Sequence, residues 1–203
     1  AVVLFRLLFL DHPLEGKRVV EAPCLTEELE LKYYGKDPIF IYDPTDDSNR
    51  PVRGVHSNAI KFWPLYPQFI QNKFITALSK DAMTGKTTRM TDNDWQLAFT
   101  RLRDTIITCP CGSETFINVA GDASCINCGR RIPKPPVLNC HNHKYGLALF
   151  PGVKMYRCHI DKDSDDFTRV IGEVERNPKN PAMWGLRNVS DIVWNAETLD
   201  GTL

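Results

Sequence analysis

The sequence has no excess of charge of either sign and no long uninterrupted apolar run, and these absences exclude several classes of protein. Its 25 lysines and arginines are balanced by 25 aspartates and glutamates, so the net charge is zero. Such a chain has no overall attraction to polyanions, which argues against nucleic acid as its main partner. The apolar opening, residues 1–10, is too short to span a bilayer, so we expect no membrane association.

We also expect no secretory signal, because these residues show neither a basic first segment nor a small-residue cleavage site. The seven cysteines are an odd number, which argues against a disulfide framework and indicates a cytoplasmic protein whose paired thiols bind metal. The sequence starts at Ala1, directly in the apolar run. We interpret this run as a buried helix whose neighbouring segment lies upstream.

The chain changes character twice, which predicts a multi-domain protein. Residues 1–107 read as mostly helical. Residues 108–136 are short, rich in Cys and Gly, and end in a stiff proline-rich linker. Residues 137–203 carry short apolar runs at 145–150, 153–160 and 167–175, which predict an all-β domain, either a sandwich or a barrel fragment.

Two helices are well supported in the first region. One begins at Pro67 and repeats apolar residues at helical spacing. The other begins at Thr91, with Asp94 completing a capping-box pattern. Its apolar stripe consists of Trp95, Ala98, Phe99, Leu102 and Ile106.

Turn-forming residues dominate residues 35–58, which predicts an ordered surface loop. Asp43, Asp46 and Asp47 in this stretch could be imagined as a cation site. Aspartate is far commoner as a turn former, and the EF-hand spacing is absent.

Four of the cysteines form the sharpest local signal. Cys109 and Cys111 are separated by thirteen residues from Cys125 and Cys128, and each pair is followed by glycine. Two tight turns that each offer two thiolates suit a tetrahedral Zn²⁺ ion, which would supply the folding energy that so small a segment lacks. The segment resembles a zinc ribbon, although its first pair is Cys-x-Cys where ribbons usually carry Cys-x-x-Cys.

Other readings of the cysteines stay open at this stage. The four thiols could be free, or could hold an iron–sulfur cluster or act as a redox dithiol. No open ligand position and no acid or base partner for the thiols is evident, so we expect a structural site rather than a catalytic one. A second metal site could use Cys140, His143, Cys158 and His159.

Residues 1–107 resemble the last third of a protein-kinase C-lobe. Residues 3–8 (VLFRLL) and 12–16 (HPLEG) are similar to the buried αF helix and the turn that leaves it. Residues 89–91 (RMT) stand where kinases carry an R-P-T signature. The resemblance is specifically to a bacterial Ser/Thr kinase subfamily with a C-terminal cysteine-rich module.

The resemblance implies that Arg89 is a structural arginine, buried and paired with the Glu of an Ala-Pro-Glu motif upstream. It also implies a parent enzyme that uses ATP and Mg²⁺ and acts on protein substrates or regulators. The Gly-rich loop, the strand lysine, H-R-D and D-F-G are absent from these residues, so we assign no catalytic residue.

The tail, residues 170–174 (VIGEV) and 184–188 (WGLRN), is distantly similar to phosphopeptide-binding FHA sandwiches. An adaptor that binds a protein partner or phosphopeptide is therefore the alternative function, with Arg187, Asn188 and Ser190 as the phosphate contacts. The basic residues Arg130, Arg131 and Lys134 could contact nucleic acid, but three charges are a small footprint.

Overall fold

The computed structural model describes residues 1–117, 122–140, 145–180, 183–194, 197–198 and 201–202. The chain divides into two compact units, Ala1–Ala98 and Phe99–Leu203. The cysteine-rich segment lies within the second unit. The three-domain organisation, with boundaries near residues 107 and 136, stays a prediction.

The first unit is helical, as expected. Its α-helices are α1 (Val2–Phe9), α2 (Lys17–Val20), α3 (Glu27–Glu30), α4 (Ser57–Phe62), α5 (Gln68–Ala77) and α6 (Lys80–Met83). A π-helical turn, Leu31–Lys36, follows α3, and a 3₁₀ turn, Trp63–Leu65, follows α4. Helix α7 (Asp92–Arg103) begins in the first unit and ends in the second.

Aromatic side chains form the core of the first unit. Phe5 and Phe9 of α1 are fully buried, and their ring centres are 4.5 Å apart. Phe5 also meets Phe40 and Phe74 edge-on, each at 5.5 Å between ring centres, and Trp63 packs 5.2 Å from Phe9. Such edge-to-face pairs stabilise a core beyond their buried area, so α1 is anchored by one face.

The two predicted helices are confirmed. Pro67 directly precedes α5, and the buried residues Ile70 and Phe74 lie one turn apart on it. At the start of α7 the amide of Asp94 donates to the Thr91 hydroxyl at 3.2 Å, and a carboxylate oxygen of Asp94 accepts from the Thr91 amide at 2.8 Å. The predicted stripe is wrong at its end, because α7 stops at Arg103 and Ile106 lies exposed in a strand.

The stretch at residues 35–58 is not a surface loop throughout. Ile39, Phe40 and Ile41 are buried, and the Ile41 amide donates to the Pro13 carbonyl at 2.9 Å. The side chain of Asn49, 2% exposed, donates to the carbonyls of Leu14 and Ile39. Turn-forming residues flank this short apolar run on both sides, so the sequence pattern did not indicate that the run lies in the core.

The aspartates of this stretch form turns. Asp43 accepts from the amide of Thr45 at 2.8 Å, and Asp46 accepts from the amide of Ser48 at 2.9 Å. These are the local side-chain-to-backbone bonds for which aspartate is favoured in turns. Among the described residues only the four-cysteine group is arranged as a possible metal site.

The second unit consists of small antiparallel sheets, which confirms its β-rich character. Two-stranded sheets pair β1 (Ile106–Thr108) with β2 (Glu114–Phe116), β3 (Ala123–Ser124) with β4 (Arg131–Ile132), β5 (Val137–Cys140) with β6 (Tyr145–Ala148), and β10 (Glu197–Thr198) with β11 (Gly201–Thr202). One three-stranded sheet has the order β7 (Lys154–Tyr156), β8 (Val170–Arg176), β9 (Trp184–Asn188). The run at 153–160 was predicted as one strand, but it ends at Tyr156 and continues as a 3₁₀ turn, Arg157–His159.

One hydrophobic core runs through the described part of the second unit. Its buried members are Ile107, Cys109, Ile117, Cys125, Ile132, Leu147, Ala148, Val153, Met155, Ile171 and Val174. Residues of the cysteine-rich segment and residues of the following sheets therefore share one core. None of the described helices has the length and apolar content needed to cross a bilayer.

Candidate metal centre

The first cysteine pair lies in the turn of the β1–β2 hairpin. The amide of Cys109 donates to the Ser113 carbonyl at 2.9 Å, and the amide of Gly112 donates to the Cys109 carbonyl at 2.8 Å. Gly112 has a φ of 85°, a left-handed conformation that favours glycine. The Cys-x-Cys spacing thus closes into a tight turn that directs both thiols to one side.

The second pair repeats this design between β3 and β4. The amide of Cys125 donates to the Arg130 carbonyl at 2.9 Å, and the amide of Gly129 donates to the Cys125 carbonyl at 3.0 Å. Gly129, at a φ of 69°, plays the role that Gly112 plays in the first turn. Two similar turns therefore face each other, as the sequence predicted.

The four sulfurs are spaced as a tetrahedral metal requires. All four Sγ atoms lie within 4.8 Å of one another, with Cys109 3.8 Å from Cys128 and Cys111 3.7 Å from Cys125. A tetrahedron with metal–sulfur bonds of about 2.3 Å has edges of about 3.8 Å. The residues present therefore fit a four-coordinate metal ion.

Backbone N–H groups prepare the thiols for metal binding. The N–H of Ser113 points at the sulfur of Cys111 and lowers the pKa of that thiol to about 6. The N–H groups of Cys128 and Asn127 lower the pKa of Cys125 in the same way. Because thiolates rather than thiols ligate metal, these N–H groups favour the binding-competent form of Cys111 and Cys125. Burial and the neighbouring sulfurs instead raise the pKa of Cys109 to about 12.

Polar side chains tie the two turns together. The amide of Ile126 donates to the buried Thr115 hydroxyl at 3.2 Å, and the side chain of Asn127 donates to Ser113 Oγ at 2.9 Å. Sequence reasoning missed these supports. The only available signal was a small polar residue close to each cysteine pair.

The possible second metal site does not have a free histidine at position 159. The amide of Tyr156 donates to His159 Nδ1 at 3.0 Å, and His159 Nε2 lies 2.9 Å from Asp104. Both ring nitrogens are thus engaged. Cys140 and Cys158 are buried, and His143 lies outside the described residues.

The residues predicted to contact phosphate have local partners. Arg187 lies 2.6 Å from Glu173 and 2.8 Å from Glu175, so two carboxylates surround its guanidinium. The Asn188 side chain donates to the Ile192 carbonyl and accepts from the Ser190 amide. These contacts give the residues structural roles, and phosphopeptide binding stays a prediction.

Arg89 is exposed, and this corrects the expectation that it is buried. It makes no ion pair with any described residue.

The basic residues beside the ribbon are partly neutralised, because Asp122 pairs with the Arg131 guanidinium and accepts from the Lys134 amide at 3.0 Å. This segment therefore offers less positive charge than its sequence suggests.

Comparison with known proteins finds no matching family model, no matching curated protein and no matching solved structure.

Proposed function

We propose that Cys109, Cys111, Cys125 and Cys128 bind one Zn²⁺ ion and that this ion has a structural role. The observation that carries the proposal is the sulfur spacing, which matches a tetrahedral four-thiolate shell. Four protein ligands complete the coordination of zinc and leave no position for a substrate or water, which is typical of structural sites. The adjacent strands have only two or three residues each, so the ion supplies order that they cannot.

Iron is the main competitor, because tetrahedral four-sulfur sites also suit iron. The chain should be supplied with zinc and iron in equal amounts and then analysed by native mass spectrometry and absorption spectroscopy. We expect one zinc ion per chain and a colourless protein. Cys109→Ser and Cys125→Ser should lose the ion, whereas Cys24→Ser, at an exposed thiol of the first unit, should retain it. A metal-free chain, or a coloured iron-loaded one, would refute the assignment.

We also propose that the first unit is the closing part of a Ser/Thr protein-kinase catalytic domain, with ATP and Mg²⁺ bound by other segments of the parent enzyme. The two faces of α1 support this. Phe5 and Phe9 fill the core, whereas Val3 and Leu7 are each 69% exposed on the same helix. In the proposed parent enzyme this outer apolar face is covered by the rest of the catalytic domain.

The surroundings of Arg89 support the same proposal. Arg89 lines a cavity of about 300 Å³ together with Ala1 and the apolar side chains of Leu14, Leu78 and Trp95. A cation beside apolar walls is complementary to a segment that carries both apolar groups and a carboxylate. The family's Ala-Pro-Glu motif has this chemistry.

The kinase proposal is tested on the longer protein encoded when the reading frame upstream of Ala1 is included. That protein should transfer phosphate from labelled ATP to Ser/Thr peptides. Arg89→Ala should lower the rate by roughly tenfold, equivalent to about 1.4 kcal/mol. Lys86→Ala, at an exposed lysine three residues before Arg89, should leave the rate unchanged. An upstream frame without a Gly-rich loop, H-R-D and D-F-G would remove the kinase assignment.

A further inference from the structure

The four thiols differ in exposure in a regular way. Each turn presents one buried cysteine, Cys109 or Cys125, and one exposed cysteine, Cys111 or Cys128. Each exposed sulfur has a buried sulfur of the opposite turn as its neighbour, at 3.7 Å for Cys111 with Cys125 and 3.8 Å for Cys128 with Cys109. An oxidant from solvent therefore meets two thiols, each with a second thiol behind it.

The two buried cysteines are also members of the core of the second unit. Cys109 and Cys125, 2% and 3% exposed, belong to the same cluster as Met155 of β7 and Ile171 of β8. We therefore expect a change in the position of either sulfur to displace side chains of the three-stranded sheet. Close-packed interiors transmit such displacements because they contain few voids.

We propose that the four-cysteine site is an oxidation-sensitive lock on the fold of the second unit, an inference that rests on the proposed zinc site. A hydroperoxide is the oxidant. It oxidises the exposed thiols first. This oxidation releases the metal ion and loosens β7 and β8. Regulation by oxidation is thus built into a site whose resting role is structural.

The chemistry balances as a two-step oxidation. The Cys111 thiolate attacks the O–O bond of the hydroperoxide, which forms a sulfenic acid at Cys111 and releases the hydroperoxide's leaving oxygen as hydroxide or alkoxide. The Cys125 thiolate then attacks that sulfur, which forms the Cys111–Cys125 disulfide and releases hydroxide. The two thiolates lose two electrons, and the O–O bond gains them. Cys128 and Cys109 react in the same way with a second equivalent.

Disulfide formation must displace the core. A disulfide requires a sulfur–sulfur distance of about 2.05 Å, so each pair contracts by roughly 1.7 Å from its observed spacing. The contraction removes thiolate ligands, and it moves Cys109 and Cys125 relative to the side chains packed on them. Loss of the ion and loss of packing therefore occur together.

The test uses the zinc-loaded full chain with Cys24→Ser, which removes an exposed thiol that would otherwise react. Hydrogen peroxide should release one zinc ion per chain to a chromogenic chelator. Cleavage before Asp122 and after Arg130 separates the two cysteine pairs, so peptide mass spectrometry should then find them cross-linked. Amide exchange should become at least about tenfold faster in β8 and stay unchanged in α5.

Single variants assign the bonds. Cys111→Ser should leave only the Cys109–Cys128 disulfide, and Cys128→Ser only the Cys111–Cys125 disulfide. Retention of zinc in peroxide, disulfides confined to one turn, or zinc release without faster exchange in β8 would each overturn the lock. Absence of zinc before peroxide is added would instead defeat the zinc assignment, and the disulfide pattern and exchange would still test the thiol chemistry.

Discussion

The imidazole Nε2 of His159 lies 2.9 Å from a carboxylate oxygen of Asp104, and both side chains are at most 1% exposed. The Tyr156 amide donates to Nδ1, so Nε2 carries the ring proton and donates to Asp104. The Arg103 guanidinium reaches the other carboxylate oxygen at 3.1–3.2 Å. The hydrogen bond between Asp104 and His159 joins the segment before the first cysteine turn to the 3₁₀ turn after β7, across 55 residues.

We expect Asp104→Ala to destabilise the second unit by about 3 kcal/mol, because it leaves a buried imidazole N–H without an acceptor and removes the carboxylate partner of Arg103. Urea unfolding followed by tryptophan fluorescence measures the change. Asp163→Ala removes an exposed carboxylate from the same unit and should change stability by less than about 0.5 kcal/mol. Equal effects of the two variants would show that the buried contact contributes nothing.

Asn49→Ala should cost about 3 kcal/mol, because it leaves the Leu14 and Ile39 carbonyls and the Arg18 amide without their partner. The change is measured as a fall in the urea midpoint of the first unit. Asn93→Ala, at an exposed position of α7, is the matched control and should be neutral. An unchanged midpoint in Asn49→Ala would mean that water replaces the amide at no cost.

Gly16→Ala should also destabilise the first unit, by about 3 kcal/mol, because the added methyl group would overlap the Asn49 carbonyl oxygen. The clash is with backbone, which cannot rotate away. At Gly35 the nearest atom would be 3.7 Å from the added carbon, so Gly35→Ala is the control. Thermal unfolding should separate the two variants clearly, and similar midpoints would contradict the close approach of the two chain segments.

The capping box of α7 should depend on pH. The Thr91 amide donates to Asp94 and lowers the pKa of that carboxyl. A lowered folded-state pKa means that the stabilisation is complete above the unfolded value of about 3.9 and is lost as the pH falls through the folded value. Far-UV circular dichroism of the unfolding transition as a function of pH measures this loss.

Thr91→Ala should remove about 1 kcal/mol at neutral pH, because the hydroxyl that caps the helix is lost. Its backbone amide still donates to Asp94, so the variant that should abolish the acid dependence is Asp94→Ala. Thr88→Ala, at an exposed residue just outside the box, should do neither. An acid dependence that persists in Asp94→Ala would assign it to other carboxyl groups.

Local patterns in the sequence determined several features of this protein. The apolar spacing and the Thr91–Asp94 pair located α5 and α7, and the spacing of Cys109, Cys111, Cys125 and Cys128 identified a site at which four sulfurs converge. These features depend on residues within a turn or two of each other, where helix period and turn geometry limit the outcome. The spacing of these residues was therefore enough to predict the two helices and the four-sulfur site.

Only the tertiary structure decided the rest. It placed the run from Ile39 to Ile41 in the core, paired Asp104 with His159, put Glu173 and Glu175 beside Arg187, and made one thiol of each turn buried and the other exposed. Arg187 meets Glu173 and Glu175 across the adjacent strands β8 and β9. The other outcomes depend on the path of the backbone between distant segments and on which atoms pack against each other. No local period in the sequence records that path.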